Sequence, residues 1–170
     1  MHNNSNLLSV SCIQYTSKNN ELDTLEIIKP LMSKAIALGS DFITLPECAT
    51  ALLKNQETTR NLTPKENKSH SLDVFKKIAK VNSVHILVGS LPIKTQNKIK
   101  NRSFLIGPNG NIMFKYDKIH MFDVTLPNNE IYAESKTYSP GSKAVIAKIK
   151  LKRLIKLGMS ICYDLRFPNL

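Results

Sequence analysis

Apolar and polar positions alternate from Leu7 to Tyr15 around Val10, Cys12 and Gln14, a period of two that predicts a strand. From Leu22 onward the period changes. Leu25, Ile28, Met32, Ala35 and Ile36 recur at spacings of three and four, which predicts a helix ending near Gly39, with Pro30 placed to kink it. Residues 41–45 form a short apolar run stopped by Pro46 and read as a strand. Residues 54–70 are polar, contain Pro64 and predict a loop or a poorly formed helix. Leu72, Phe75, Ile78, Ala79 and Val81 mark a second amphipathic helix, and residues 84–91 and 103–106 predict buried strands. Gly107-Pro108-Asn109-Gly110 is a tight turn into a further strand over 111–116, so these two strands form a hairpin. Residues 121–142, rich in Pro, Asn and Ser and without a period, predict a long loop of the kind that carries function. Two more strands are expected over 144–149 and 154–161. The order β-α-β-α-β-β-β-loop-β-β predicts an α/β (α+β) sheet with helices on one face, built as a single domain over residues 1–170.

Composition narrows the function classes. A chain of 170 residues with 42% apolar and 22% charged residues has the make-up of one globular domain. Its formal charge of +11 is carried by 20 Lys against 4 Arg, scattered from Lys18 to Lys156, whereas bidentate phosphate and base contacts favour Arg. No nucleic-acid partner is expected. The densest basic cluster, Lys150, Lys152, Arg153 and Lys156, is interleaved with Leu151, Leu154, Ile155 and Leu157, and reads either as a solvated strand or hairpin face or as a phosphate-binding patch. Cys12, Cys48 and Cys162 occur singly, against both a disulfide framework and a zinc site, so a reducing, cytoplasmic setting is expected. No secretory signal and no run of about 18 apolar residues is evident, so no membrane partner is expected. The six Gly form no phosphate loop, and no cofactor is expected.

Three residues that could carry chemistry stand just past strand-like runs: Glu47 in Leu45-Pro46-Glu47-Cys48, Lys118 in Tyr116-Asp117-Lys118-Ile119-His120, and Cys162 in Ile161-Cys162-Tyr163-Asp164. A thiol attacks as thiolate, and backbone N–H groups following Cys162 would face a developing oxyanion. Taken singly, each has a bland reading: core packing for Cys162, a turn or cap carboxylate for Glu47, a solvated cation for Lys118. Their common place after strands, where a sheet edge gathers functional groups, brings them together. The four histidines, His2, His70, His85 and His120, read as structural or exposed rather than as a base for Cys162.

These segments, Tyr116-Asp117-Lys118-Ile119-His120-Met121-Phe122-Asp123 and Cys162-Tyr163-Asp164-Leu165-Arg166-Phe167-Pro168 included, resemble the three signature blocks of the nitrilase superfamily of carbon–nitrogen hydrolases. Gly89-Ser90-Leu91-Pro92-Ile93, Asn101-Arg102-Ser103, Gly107-Pro108-Asn109-Gly110 and Tyr138-Ser139-Pro140-Gly141 match its connecting pattern in order. The resemblance implies a four-layer α-β-β-α sandwich and a thioester route from a small-molecule amide. In it Cys162 attacks carbon, Glu47 carries the proton, Lys118 holds the oxyanion, and Glu134 orients the lysine or shares in proton handling. The block around Cys162 is most similar to the omega-amidase and deaminated-glutathione-amidase branch. It places Tyr163 and Arg166 as substrate-binding candidates, with Arg166 pairing either a substrate carboxylate or Asp164.

One departure counterbalances these expectations. Members of the superfamily continue for roughly a hundred residues beyond the cysteine, so the sandwich is expected to be incomplete. If about 500 Å² of apolar surface were left uncovered, at ~25 cal/mol per Å² the lost burial is about 12 kcal/mol, as large as a typical net stability of about 5–15 kcal/mol. Two further expectations follow: a catalytically inactive truncated remnant as the alternative to an active hydrolase, and a homo-oligomer or a complementing chain as partner.

Overall fold

The computed structural model describes residues 7–52, 55–96 and 98–170. Five strands form its main sheet in the order β1-β2-β3-β4-β5: β1 Val10–Cys12, β2 Phe42–Thr44, β3 His85–Thr95, β4 Lys98–Ile106 and β5 Ile112–Asp117. The first three run parallel, joined through helices α1 (Glu21–Ala37) and α3 (His70–Asn82), and β3-β4-β5 continue as an antiparallel meander.

Periodicity explains which face each helix covers. Leu25, Ile28 and Met32 of α1 and Leu72, Phe75 and Ala79 of α3 are fully or almost fully buried against Ile43, Ile86, Val88 and Phe104 of one sheet face. Burying each Leu, Ile or Phe side chain is worth about 1.5–3 kcal/mol, enough to set the layer. The opposite face presents Phe42, Leu105 and Tyr116 to Ala147, Ile149, Met159 and Ile161, contributed by the hairpin β8 (Val145–Lys150) and β9 (Leu154–Met159) and the turn after it. Helices, sheet and second sheet are thus stacked in the order expected of an α-β-β-α sandwich, and the outer side of the hairpin, with Ile146 and Leu154, faces solvent.

Several local expectations are corrected. Residues 56–62, expected as loop or weak helix, form a regular helix, α2 (Gln56–Leu62), because the Asn55 side chain caps it by accepting the Thr58 N–H at 2.8 Å. The segment 121–142 is not structureless: β6 (Asp123–Thr125) pairs antiparallel with β7 (Ile131–Ala133) around a turn in which Asn129 takes φ +62°. The first strand is three residues long rather than nine. The strands expected over 84–91 and 103–106 extend to Thr95 and back to Lys98, with a bulge between Val88 and Leu91. Helix α1 runs unbroken through Pro30, which lies on its solvent face, where water can satisfy the carbonyl that loses its partner. Val81 points outward and is no part of the α3 stripe.

Candidate active site

The elements that launch the three candidate residues are fixed by close backbone contacts. Past β2 the chain turns at Pro46, and the Cys48 and Ala49 N–H groups donate to Ser90 Oγ and Ser90 O, both at 2.9 Å. This turn lies so near β3 that a Cβ on Gly89 would stand 2.3 Å from the Leu45 carbonyl oxygen, which explains the glycine. At the end of β5, Arg102 holds Asp117 through two hydrogen bonds of 2.6 and 3.0 Å, and the Lys118 N–H donates to the Asn101 carbonyl at 2.9 Å. Gly141 closes on the same strand end, its N–H donating to the Lys118 carbonyl at 2.7 Å.

Cys162 follows β9 at the start of a short 3-10 turn, Cys162–Arg166, and adopts φ +47°. A β-carbon in the left-handed region is strained, and such strain is a device for presenting a nucleophile at a sharp strand exit. Asp164 supports the turn. Buried, it accepts from Tyr116 Oη (2.7 Å), the Ile161 N–H (3.0 Å) and the His120 N–H (2.9 Å), and pairs with His120 Nδ1 (2.8 Å). Its oxygens therefore tie the residue before Cys162 to the residue two beyond Lys118. Burial opposes its ionisation, but these donors outweigh that effect and hold its pKa below the ordinary carboxylate range. His120 also stacks on Phe167, with ring centroids 3.6 Å apart.

The side chains converge on a cavity of about 390 Å³ lined by Glu47, Asn101, Lys118, Phe122, Glu134 and Cys162, among others. Lys118, only 2% exposed, donates from Nζ to Glu47 Oε1 at 3.2 Å and to Glu134 Oε1 and Oε2 at 3.0 and 2.8 Å. Burial by itself would lower the pKa of this ammonium, but the Glu134 hydrogen bonds and the two carboxylate charges raise it above the ordinary lysine value, so it stays a fixed positive charge. Glu134 is itself anchored by the Phe122 N–H, which donates to Oε2 at 2.7 Å. Cys162 is solvent-accessible. Burial of its sulfur and the Glu47 charge raise the thiol pKa, and Lys118 pulls the other way, so the resting group is a protonated thiol beside a carboxylate. Cys48 also lines the cavity, but burial and the Glu47 charge push its thiol up to about 12, which leaves it inert.

Sequence reasoning passed over Asn101. Its Nδ2 donates to Glu47 Oε1 at 2.8 Å and to Glu134 Oε1 at 3.4 Å, holding the two carboxylates on either side of Lys118. Asn101 and Lys118 both reach Glu47 through Oε1, and among the described residues no donor is seen on Oε2. A signal was present, since Ile99, Asn101 and Ser103 occupy the buried phase of β4 and a polar side chain there needs a partner. Glu47, Lys118, Glu134 and Cys162 are brought together. Tyr163 and Arg166 do not line the cavity: Tyr163 packs edge-on against Phe122 and Phe167, and Arg166 is exposed. The expected Arg166–Asp164 pairing does not form, because Tyr116, His120 and Ile161 already occupy both Asp164 oxygens. Among the described residues no group of three or more His, Cys, Asp or Glu is placed to hold a metal ion, and no helix is long and apolar enough to cross a membrane.

Comparison with known proteins places the chain in a family and a fold. The chain is 34% identical over 166 residues to the deaminated glutathione amidase of Yersinia enterocolitica, covering 95% of this chain and 56% of that protein. It is 29% identical over 163 residues to an omega-amidase of Mus musculus, again covering 95% of the chain and 56% of the relative. The chain thus spans about half the length of the curated relatives it matches. The fold is similar to that of the C. elegans NitFhit protein, with a TM-score of 0.82 at 22% identity over 95% of this chain and 40% of that one. The profile of the carbon-nitrogen hydrolases matches residues 9–170, and the chain belongs to that family, within the nitrilase superfamily.

Proposed function

We propose that this chain hydrolyses the carbon–nitrogen bond of a small carboxylic-acid amide through a thioester on Cys162. Glu47 Oε2 takes the Cys162 proton as sulfur attacks the carbonyl carbon, and the oxyanion that forms is balanced by the Lys118 ammonium. Glu47 then gives that proton to the departing nitrogen, which leaves as ammonia, and an acyl thioester stays on Cys162. Water attacks the thioester next, with Glu47 accepting its proton and returning it to sulfur as the acid leaves. Glu134 and Asn101 take no proton in this scheme. They hold Lys118 and Glu47 so that the ammonium does not drift from the place where charge develops.

The observation that carries the reading is the buried Lys118 bridging Glu47 and Glu134 in a cavity onto which Cys162 opens. Branch membership of the omega-amidase or deaminated-glutathione-amidase kind rests on moderate identity to those relatives. A small-molecule amide fits the size of the cavity. The test is ammonia release from butyramide and from succinamate, its counterpart of equal length with a terminal carboxylate. Wild type is expected to release ammonia from at least one, and Cys162→Ser to lower kcat by about a thousandfold or more. Undiminished turnover in Cys162→Ser overturns the assignment.

A further inference from the structure

A second recess, of about 410 Å³, adjoins the catalytic cavity and shares the residues Thr137 and Tyr138 with it. The charged side chains that line it are all basic, with the Asp123 carboxylate just outside the lining. Arg60 from α2, Lys94 and Lys98 from the β3-β4 hairpin end, and Lys136 from the segment after Glu134 all line it, and the described lining contains no carboxylate. None of the four makes an ion pair among the described residues. Being unpaired is common among the basic side chains of this chain, and what sets these four apart is that they line one concavity. Four unpaired cations around one concavity repel each other, and a bound anion relieves that repulsion.

The recess is also built on fixed backbone. Arg60 Nη2 donates to the Lys136 carbonyl at 2.8 Å, the Lys94 N–H donates to the Pro64 carbonyl at 2.8 Å, and the Ser139 N–H donates to the Ile99 carbonyl at 2.9 Å. Its floor is the buried Ile99, and Thr137 and Ser139 add hydroxyl donors around the rim, whereas Ser135 is engaged by Asp123, which accepts its N–H at 3.0 Å. Cations from three separate parts of the chain, together with neutral donors, match a compact oxyanion bearing two charges better than a singly charged one.

We propose that this recess binds a doubly charged oxyanion of the phosphate type, either the free ion or the terminal group of a larger molecule. Occupancy would fasten α2 and the hairpin to the segment 135–139, which directly follows the Glu134 that holds Lys118. The assignment does not depend on the amidase reading, since it concerns binding only.

The test is calorimetric titration of the protein with inorganic phosphate at fixed ionic strength and neutral pH. It is repeated on Lys94→Gln/Lys98→Gln and on Lys148→Gln/Lys156→Gln, which removes the same charge from the distant β8-β9 hairpin. Saturable binding in the millimolar range or tighter is expected for wild type and the hairpin variant, and binding at least tenfold weaker for the recess variant. The thermal unfolding midpoint without phosphate is expected to fall in neither double variant, since each removes like-charge repulsion, and this separates lost binding from lost fold. Absence of binding to wild type at 20 mM phosphate (~20 mM being ample for a millimolar site), or equal weakening in both double variants, overturns the proposal. Methyl phosphate separates the two sources: competition with inorganic phosphate at equal strength identifies a terminal phosphoryl group, and its exclusion identifies the free ion.

Discussion

At the residue scale, the proposed chemistry rests on one carboxylate with two effects of opposite consequence. Glu47 raises the pKa of the Cys162 thiol by its charge, which lowers the thiolate fraction, yet in the proposed reaction it takes the proton as sulfur attacks. Glu47→Gln separates the two effects. Removing the charge is expected to move the midpoint of Cys162 alkylation by iodoacetamide to lower pH, followed site by site by mass spectrometry, while amide hydrolysis falls by about a hundredfold or more. An unchanged or raised midpoint would show that Glu47 does not act on this thiol. Glu47, Lys118 and Cys162 each stand past an apolar run, which taken singly left a bland reading open; it was the resemblance of their three segments to the signature blocks of the nitrilase superfamily that singled them out. Asn101 was not singled out, since a lone Asn inside a strand becomes informative only once β4 has a buried face and two carboxylates arrive opposite it.

At the scale of elements, two strand ends must arrive together for the site to exist, and Asp164 is what joins them. Four donor contacts converge on its two oxygens, from β5 (Tyr116), from the chain past β5 (His120, twice) and from the chain past β9 (Ile161). Asp164→Asn keeps the volume but turns an NH₂ toward donors, and backbone N–H groups cannot reverse their role. The variant is expected to lose about 1–3 kcal/mol in urea unfolding at pH 7. Because the folded-state pKa of Asp164 is depressed, its contribution is present above the ordinary carboxylate pKa of about 3.9 and is lost as pH falls through the lower folded value. The gap between wild type and Asp164→Asn should therefore narrow on acidification below about pH 4, and a gap that stays constant would assign the loss to packing instead of charge. The element order read from hydrophobic periods matches the structure in its larger members. The missed ones share a cause: α2 and the β6-β7 ribbon are too short and too polar to show a period, and they are specified by the Asn55 cap and by the positive φ at Asn129.

At the scale of the whole molecule, the layers are unequally covered, and the proposed nucleophile, Cys162, belongs to the least covered one. The strands β3 and β4 lie between α1 and α3 on one side and the hairpin on the other, and Ile86, Val88, Phe104, Leu105 and Ile106 are buried. The β8-β9 hairpin packs through one face only. Its outer face carries Ile146 and Leu154, 64% and 69% exposed, and it sets Lys148 directly across from Lys156, a like-charge pair that weakens a ladder. A two-stranded ribbon has little stability of its own, so its protection is borrowed from the Tyr116 and Leu105 side of the main sheet. The hydrophobic pattern could place β8 and β9 as strands, but which of their faces meets the main sheet is a tertiary property that no local period encodes. Opening of this layer is expected to cost less than global unfolding. Native-state hydrogen exchange should then find the amides of Val145–Lys150 and Leu154–Met159 exchanging at least tenfold faster than those of Ile86–Val88 and Phe104–Ile106. Lys156→Glu, which turns the repulsive cross-strand pair into an attractive one, should slow exchange in the hairpin while leaving β3 and β4 unchanged. Equal protection across both sheets, or slowing that spreads to β3 and β4, would mean instead that the hairpin and the main sheet open as one cooperative unit, with Cys162 held as firmly as Lys118.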